Sequence, residues 1–211
     1  MNIQTPTDKK NAKRREKEQI ILRAAERVFA QAGFGGATMQ LIADVAGLPK
    51  ANVHYYFQTK EDLYRQVVSN IFGIWLEAAS AFDDAVGPVE GIGAYIDAKM
   101  EISRSHPNGS KVWASEVMHG APFTQDYLET TLVEWTQGRL AIIQRWVDAG
   151  LMDKVDPRHL LHMIWATTQH YADFRHQINT LNGGQPLGEA QWEEAKTTIK
   201  RIILQGIGVK V

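Results

Sequence analysis

The 211-residue sequence contains no cysteine. That excludes a disulfide framework, a thiolate metal site and a cysteine nucleophile, and leaves no compositional sign of an oxidising compartment. Long apolar runs are missing too: no window approaches 18 uninterrupted apolar residues, and Met1 to Gln19 is polar and basic with no apolar stretch behind it. A membrane span and a signal peptide are therefore not expected, and the cytoplasm is the default location. Neither sign of charge dominates. Charged residues are 22% of the chain and the formal net charge is -1, which excludes a disordered polyelectrolyte and a uniformly basic nucleic-acid coat. What is present, at 44% apolar residues, suffices for one good core and a small second one.

The near-neutral total conceals an uneven distribution. Residues 1–60 hold 10 Lys and Arg against 5 Asp and Glu, a balance of +5, whereas residues 61–211 hold 13 against 19, a balance of -6. A cationic N-terminal third suited to phosphates is thus joined to a remainder that phosphates would repel. Apolar residues recur at spacings of 3 and 4, so an all-α fold is expected. The first stripe, Ile21, Leu22, Ala25, Val28 and Phe29, predicts a helix over 18–32 stopped by Gly33. Thr38 caps a short second helix to Ala46 with Leu41, Ile42 and Val45 inward, and Gly47 ends it. Pro49 suits the first turn of a third helix to Phe57, where a missing N–H costs nothing. Thr59 caps a long fourth helix. Further helices are expected over 89–105, 109–119, 124–149, 157–181 and 187–207.

A short helix, a glycine turn and a second short helix over 38–57 is helix-turn-helix spacing. The second helix of such a unit enters the major groove and presents its first residues to base edges. Its side chains not needed inside are Lys50, Ala51, Asn52, His54, Tyr55 and Tyr56. They form a nucleic-acid face: a cation and hydrogen-bonding groups for phosphates, Asn52 and His54 for base edges, and the Ala51 methyl for thymine.

Gly33-Phe34, Thr38 and the run IADVAGLPKANVHYYFQTKEDLY from Ile42 to Tyr64 resemble the DNA-binding domain of the TetR family of bacterial transcriptional regulators. The likeness includes the Phe57-x-x-Lys60-x-x-Leu63 start of the fourth helix. It implies that Thr38, Lys50, Tyr56 and Lys60 hold phosphates while Asn52, His54 and Tyr55 lie near bases. Pro49 departs from the pattern, since the family often has a capping serine there. The implied organisation is a flexible basic arm at 1–17, a DNA-binding domain at 18–64 and an effector-binding and dimerisation domain at 65–211. The arm's six basic residues between Lys9 and Lys17 suit either a DNA contact or a solvated tail.

One recognition helix reads only a few base pairs, so such modules act as symmetric pairs about 34–36 Å apart on DNA. A dimer surface is therefore expected, and the last helix offers Trp192, Ile199, Ile202 and Ile203 on a broad apolar stripe. Within Met163 to Phe174, Trp165, Gln169 and Asp173 lie four apart on one helical face. An amide beside an indole suits a small planar ligand with adjacent C=O and N–H groups, and Trp75 is a candidate opposing wall; ordinary core packing is the alternative. The segments GIWLEA (73–78), SRSHPNGSKVWASEVMHGAPF (103–123), DPRHLLHMIWATTQHYADF (156–174) and RIILQGI (201–207) resemble the effector domain of the pyrimidine-utilisation branch of the same family. That resemblance implies a repressor answering to uracil or a related pyrimidine held by Trp75, Trp165 and Gln169. A regulator of related nitrogen catabolism with another effector is the alternative within the class. Outside it stands a small-molecule enzyme on a helical scaffold. No P-loop, dinucleotide fingerprint or zincin motif supports an enzyme, and no cofactor, catalytic residue or metal site is expected. His159 and His170 are about 16 Å apart along a helix at 1.5 Å per residue, too far to share an ion.

Overall fold

The computed structural model describes residues 6–83 and 85–209, with the side chains of all of these except 6–10 and 81. Among the described residues every regular element is helical: α1 (Pro6–Gly36), α2 (Met39–Ala46), α3 (Lys50–Tyr56), α4 (Lys60–Ala78), α5 (Pro88–Ser105), α6 (Pro107–Met118), α7 (Gln125–Tyr127), α8 (Val133–Asp148), α9 (Pro157–Asp173), α10 (Arg175–Leu181) and α11 (Glu189–Gly206). A 3₁₀ turn at Ala79–Phe82 follows α4, and a π-helical turn at Leu128–Leu132 joins α7 to α8.

The helix ends have local causes. Gly33 takes φ 66° and ψ 175°, so α1 kinks out of helical geometry at the expected stop. The Thr38 hydroxyl oxygen accepts from the Leu41 N–H at 3.1 Å, and Gly47 closes α2 in the left-handed region with its N–H on Ala43 and Asp44. Thr59 caps α4 in the same way through the Asp62 N–H. Pro49 stands at the cap position of α3 without any side-chain cap bond. Three expectations need correction. Residues 6–17, expected as a separate basic arm, continue α1 as helix from Pro6 onward; residues 1–5 and the side chains of Lys9 and Lys10 lie outside the described residues. Leu41 and Val45 are about two-fifths exposed, because α2 turns Met39, Ile42 and Ala43 inward instead. The helix expected over 157–181 breaks at Phe174 into α9 and α10.

Two apolar cores hold these helices. One gathers Ile21, Val28 and Phe29 of α1 around Ile42, Val53, Leu63 and Val67, and continues along α4 to Phe72, Trp75 and Trp113 of α6. The other packs Ile92, Tyr95 and Ile96 of α5 against Ile143 and Trp146 of α8, Leu160, Leu161 and Ile164 of α9, and Ile203 and Leu204 of α11. The first core runs without a break past residue 64, so α4 is shared between the helix-turn-helix and the rest of the chain. A polar joint reinforces the passage. Buried Glu116 of α6 accepts from the Phe123 N–H at 2.8 Å and the Thr124 hydroxyl at 3.1 Å. Beside it Phe34, Tyr64 and Phe123 pack with ring centroids 4.3–5.3 Å apart. Burial pushes the Tyr64 phenol well above its ordinary range, and the Glu116 carboxylate adds to the effect.

Candidate functional site

The α2–turn–α3 unit buries Val53 and Phe57 and leaves a polar face outward. Lys50, Ala51, His54 and Tyr55 are exposed, and Asn52 and Tyr56 are half-buried. Tyr55 is 73% exposed and meets Tyr56 edge-on at 5.2 Å, while Tyr56 leans on the core. An exposed tyrosine supported by another has a phenol free for a phosphate or base and a ring held in place. His54 Nδ1 donates to the Gln58 carbonyl at 3.3 Å, which leaves its other ring nitrogen outward. Thr38 spends its oxygen lone pair on the α2 cap, and its O–H remains free to donate.

Lys60, expected to hold a phosphate, stands at the end of α1. Its ammonium donates to the Phe34 carbonyl at 2.8 Å and the Ala37 carbonyl at 3.0 Å, and it lies 4.2 Å from the centre of the Phe34 ring. The cation serves the carbonyls at the end of α1, where the helix dipole favours positive charge. Thr38, Lys50 and Tyr56 have no such carbonyl-bound cation among them, and Lys50 is exposed.

A second feature lies between α4, α5, α6, α8 and α9: a cavity of about 220 Å³. Trp75, Trp165 and Gln169, far apart in sequence, line it together. Asp173, on the same face of α9, lies beyond it, with Oδ1 accepting from the Ser110 hydroxyl at 2.7 Å. Sequence reasoning missed Lys99, Tyr95, Trp113 and Trp135, which also line the cavity. The Trp165 indole N–H donates to the Tyr95 hydroxyl at 2.8 Å, which fixes one wall. Lys99 is 2% exposed, with its ammonium 4.3 Å from the centre of the Trp75 ring. Burial lowers its pKa to about 7, opposed by the Asp173 charge. Burial likewise raises Asp173, opposed first by the Ser110 hydrogen bond. The overlooked signal was a spacing. Tyr95, Lys99 and Ser103 fall four apart on the buried face of α5, among Ile92, Ile96 and Met100. A lysine on that face has no reason to be there unless something meets it.

The expected dimer residues separate. Ile203 is 3% exposed and belongs to the chain's own core. Ile202 is 58% exposed. Trp192 and Ile199 are half-buried, with the Trp192 ring 5.5 Å from Tyr171. Ile199 lines a groove between α9–α10 and α11 together with Tyr171, Ile178 and Leu181. Phe174 and Leu181 stand exposed nearby in sequence at 54% and 81%. Among the described residues no group of three or more His, Asp or Glu is placed to hold a metal ion, and no helix is long and apolar enough to cross a membrane.

Similarity to known proteins covers both features. The family described as "Bacterial regulatory proteins, tetR family" matches residues 21–67, and "YcdC-like protein, C-terminal region" matches residues 68–210. The chain is 39% identical over 191 residues to the HTH-type transcriptional regulator RutR of Escherichia coli strain K12, covering 90% of each chain. Its fold is similar to that of the ketosteroid transcriptional regulator KstR2 of Mycobacterium tuberculosis, with TM-score 0.71 and 18% identity over 93% of this chain and 96% of that one. It is also similar to AibR, solved with isovaleryl coenzyme A and operator DNA, with TM-score 0.69 and 18% identity over 88% and 97% of the two chains. These relatives are named as regulators, not enzymes. With a recognition helix at one end and both halves matched, the chain belongs to the TetR family of bacterial DNA-binding transcriptional regulators.

Proposed function

We propose that this regulator is a cytoplasmic homodimeric repressor whose operator affinity is changed by a small planar ligand in the Trp75–Trp165–Gln169 cavity, uracil or a related pyrimidine. One observation carries the reading: two indoles and an amide from helices about 90 residues apart converge on one cavity lined by α4, whose Leu63 and Val67 share a core with Val53 of α3. Indole faces accept a flat ring, and an amide pairs with adjacent C=O and N–H groups. The resemblance of residues 156–174 to the pyrimidine-utilisation branch supports that ligand class. AibR, similar in fold, was solved with both a ligand and operator DNA.

In the proposed dimer, residues 18–64 read DNA, with Lys50, Thr38 and Tyr56 on phosphates and Ala51, Asn52, His54 and Tyr55 toward bases. Trp192, Ile199 and Ile202 of α11, with the groove against α9–α10, meet the same face of a second copy. Ligand stabilises one arrangement of the two heads; where that arrangement misfits successive major grooves, the operator is released. A coupling of about 1–3 kcal/mol, or roughly 5- to 150-fold in DNA affinity, is the usual scale. Fluorescence anisotropy with labelled duplex from the region upstream of the protein's own gene, with and without saturating uracil, tests the switch. An affinity change in that range that Gln169→Ala abolishes supports it. Unchanged affinity for every pyrimidine tried rejects it.

A further inference from the structure

The cavity walls are mostly apolar, but their polar groups are nearly all donors. Lys99, 2% exposed, brings its ammonium to the cavity wall 4.3 Å from the centre of the Trp75 ring. The Trp135 indole N–H is buried and unpartnered. Tyr95 already accepts from Trp165, so its own O–H is left to donate. Among these groups the Gln169 amide oxygen is the acceptor without a donor. The carboxylate of Asp173 is engaged elsewhere, by Ser110 at 2.7 Å. A buried N–H without an acceptor is unfavourable and a desolvated ammonium more so, and an incoming molecule that supplies oxygens relieves both.

We propose that the cavity selects acceptor-rich, anionic oxo-heterocycles over neutral or amino-bearing ones, with Lys99 Nζ donating to a ring oxygen as the specificity-determining contact. This rests on the reading of the cavity as the effector site and narrows it. A flat ring bearing oxo groups on several edges fills the donor set: one oxygen on Lys99, another toward the Trp135 N–H or the Tyr95 O–H, and a ring N–H on the Gln169 oxygen. Trp75, under the ammonium, holds Lys99 to one side of the ring. An amino group in place of an oxo group would set donor against donor. The charged groups around Lys99 agree with an anion preference. Asp173 of α9 is the carboxylate that acts on it, α4 and α6 present indoles, and the Lys200 of α11 is already held by Asp97. Lys99 holds its proton below about pH 7, so an anion is bound best there and progressively less well above it.

The test is isothermal titration calorimetry of the full-length protein with barbiturate (a pyrimidine with three oxo groups, anionic at neutral pH), uracil and cytosine. The titrations are made at pH 6 and pH 9 on the wild type, Lys99→Met and Lys99→Gln, with a thermal melt of each variant as a check on folding. Barbiturate is expected to bind tighter than uracil at pH 6 by on the order of tenfold to a hundredfold, the range of a hydrogen bond to a buried charge. Cytosine is expected to be weakest. The barbiturate preference is expected to shrink at pH 9 and to vanish in a folded Lys99 variant. The pH comparison on the wild type decides the matter even where a variant does not fold. Barbiturate and uracil bound alike, or a preference that survives both pH 9 and removal of the amine, overturns the assignment of Lys99 while the effector site stands. Failure of the wild type to bind any of the three overturns both readings.

Discussion

At the scale of single residues, the two lysines of greatest interest, half-buried Lys60 and buried Lys99, are placed in opposite circumstances. Lys60 is stabilised by two carbonyls and a ring, whereas Lys99 meets only an indole and a distant carboxylate. Lys99 therefore weakens the unliganded fold. Its folded pKa, about 7, lies below the ordinary 10.5, so between those values the unfolded chain binds the extra proton and stability rises with pH. Below about pH 7 both states are protonated and the folded state bears the full cost of the buried charge. Lys99→Met is expected to be more stable than the wild type at pH 6, by roughly 1–4 kcal/mol, with the difference shrinking toward pH 10 in chemical denaturation. Lys60→Met leaves the Phe34 and Ala37 carbonyls without their donor and is expected to cost about 1–3 kcal/mol. The salt dependence of operator binding separates the roles. Lys50→Met is expected to reduce the slope of log K against log salt by about 0.9, the value of one phosphate. Lys60→Met should leave that slope unchanged once the protein is folded.

Elements show which parts of this molecule were legible beforehand. Thr38, Gly47 and Thr59 terminate helices through bonds within three or four residues, so their roles could be read from neighbours alone. The exposed face of α3 was legible for the same reason, since Val53 and Phe57 are its apolar positions. The bonds of Lys60 to Phe34 and Ala37 were not legible, because those partners lie 26 and 23 residues away, across a tertiary contact that spacing does not reveal. Leu41 and Val45 failed because an eight-residue helix has too few turns for its apolar stripe to single out one inward face. The cavity was half legible. Trp165 and Gln169 share one helix, but Lys99 and Trp135 come from helices whose packing had to be seen. Close contact between elements also makes a prediction. A Cβ at Gly109 of α6 would stand 2.9–3.2 Å from Cδ1, Cγ1 and Cβ of Ile71 on α4. Gly109→Ala is expected to force the two helices apart and cost about 1–3 kcal/mol despite the better helix propensity of alanine. Adding Ile71→Val, which removes the nearest of those atoms, should restore part of the loss in urea unfolding.

For the whole molecule, the all-α architecture followed from apolar periodicity, whereas the surface proposed to pair two copies does not follow from apolar character alone. On α11 adjacent isoleucines divide: Ile203 is core and Ile202 faces solvent. The two make a controlled comparison. Ile202→Asp is expected to leave the fold intact and convert dimer to monomer in analytical ultracentrifugation, with operator affinity falling as paired heads are lost. Ile203→Ala is expected to cost about 2–5 kcal/mol of stability through the cavity it leaves, with any effect on association secondary to unfolding. An Ile202→Asp protein that sediments as a dimer would move the pairing surface off α11.

The placement of the tryptophans makes the molecule its own optical reporter. Of the six in the chain, Trp75, Trp113, Trp135 and Trp165 line the cavity, Trp146 lies in the second core, and Trp192 stands against Tyr171 by the α9–α11 groove. Replacing Trp192 with Phe leaves an intrinsic emission dominated by the four indoles that line the proposed effector cavity. Trp192, outside the cavity, is the indole whose emission would report the proposed self-association instead. The proposed occupancy and the proposed pairing would thus be read separately in unlabelled protein, and the order of their responses to a ligand could be followed in real time.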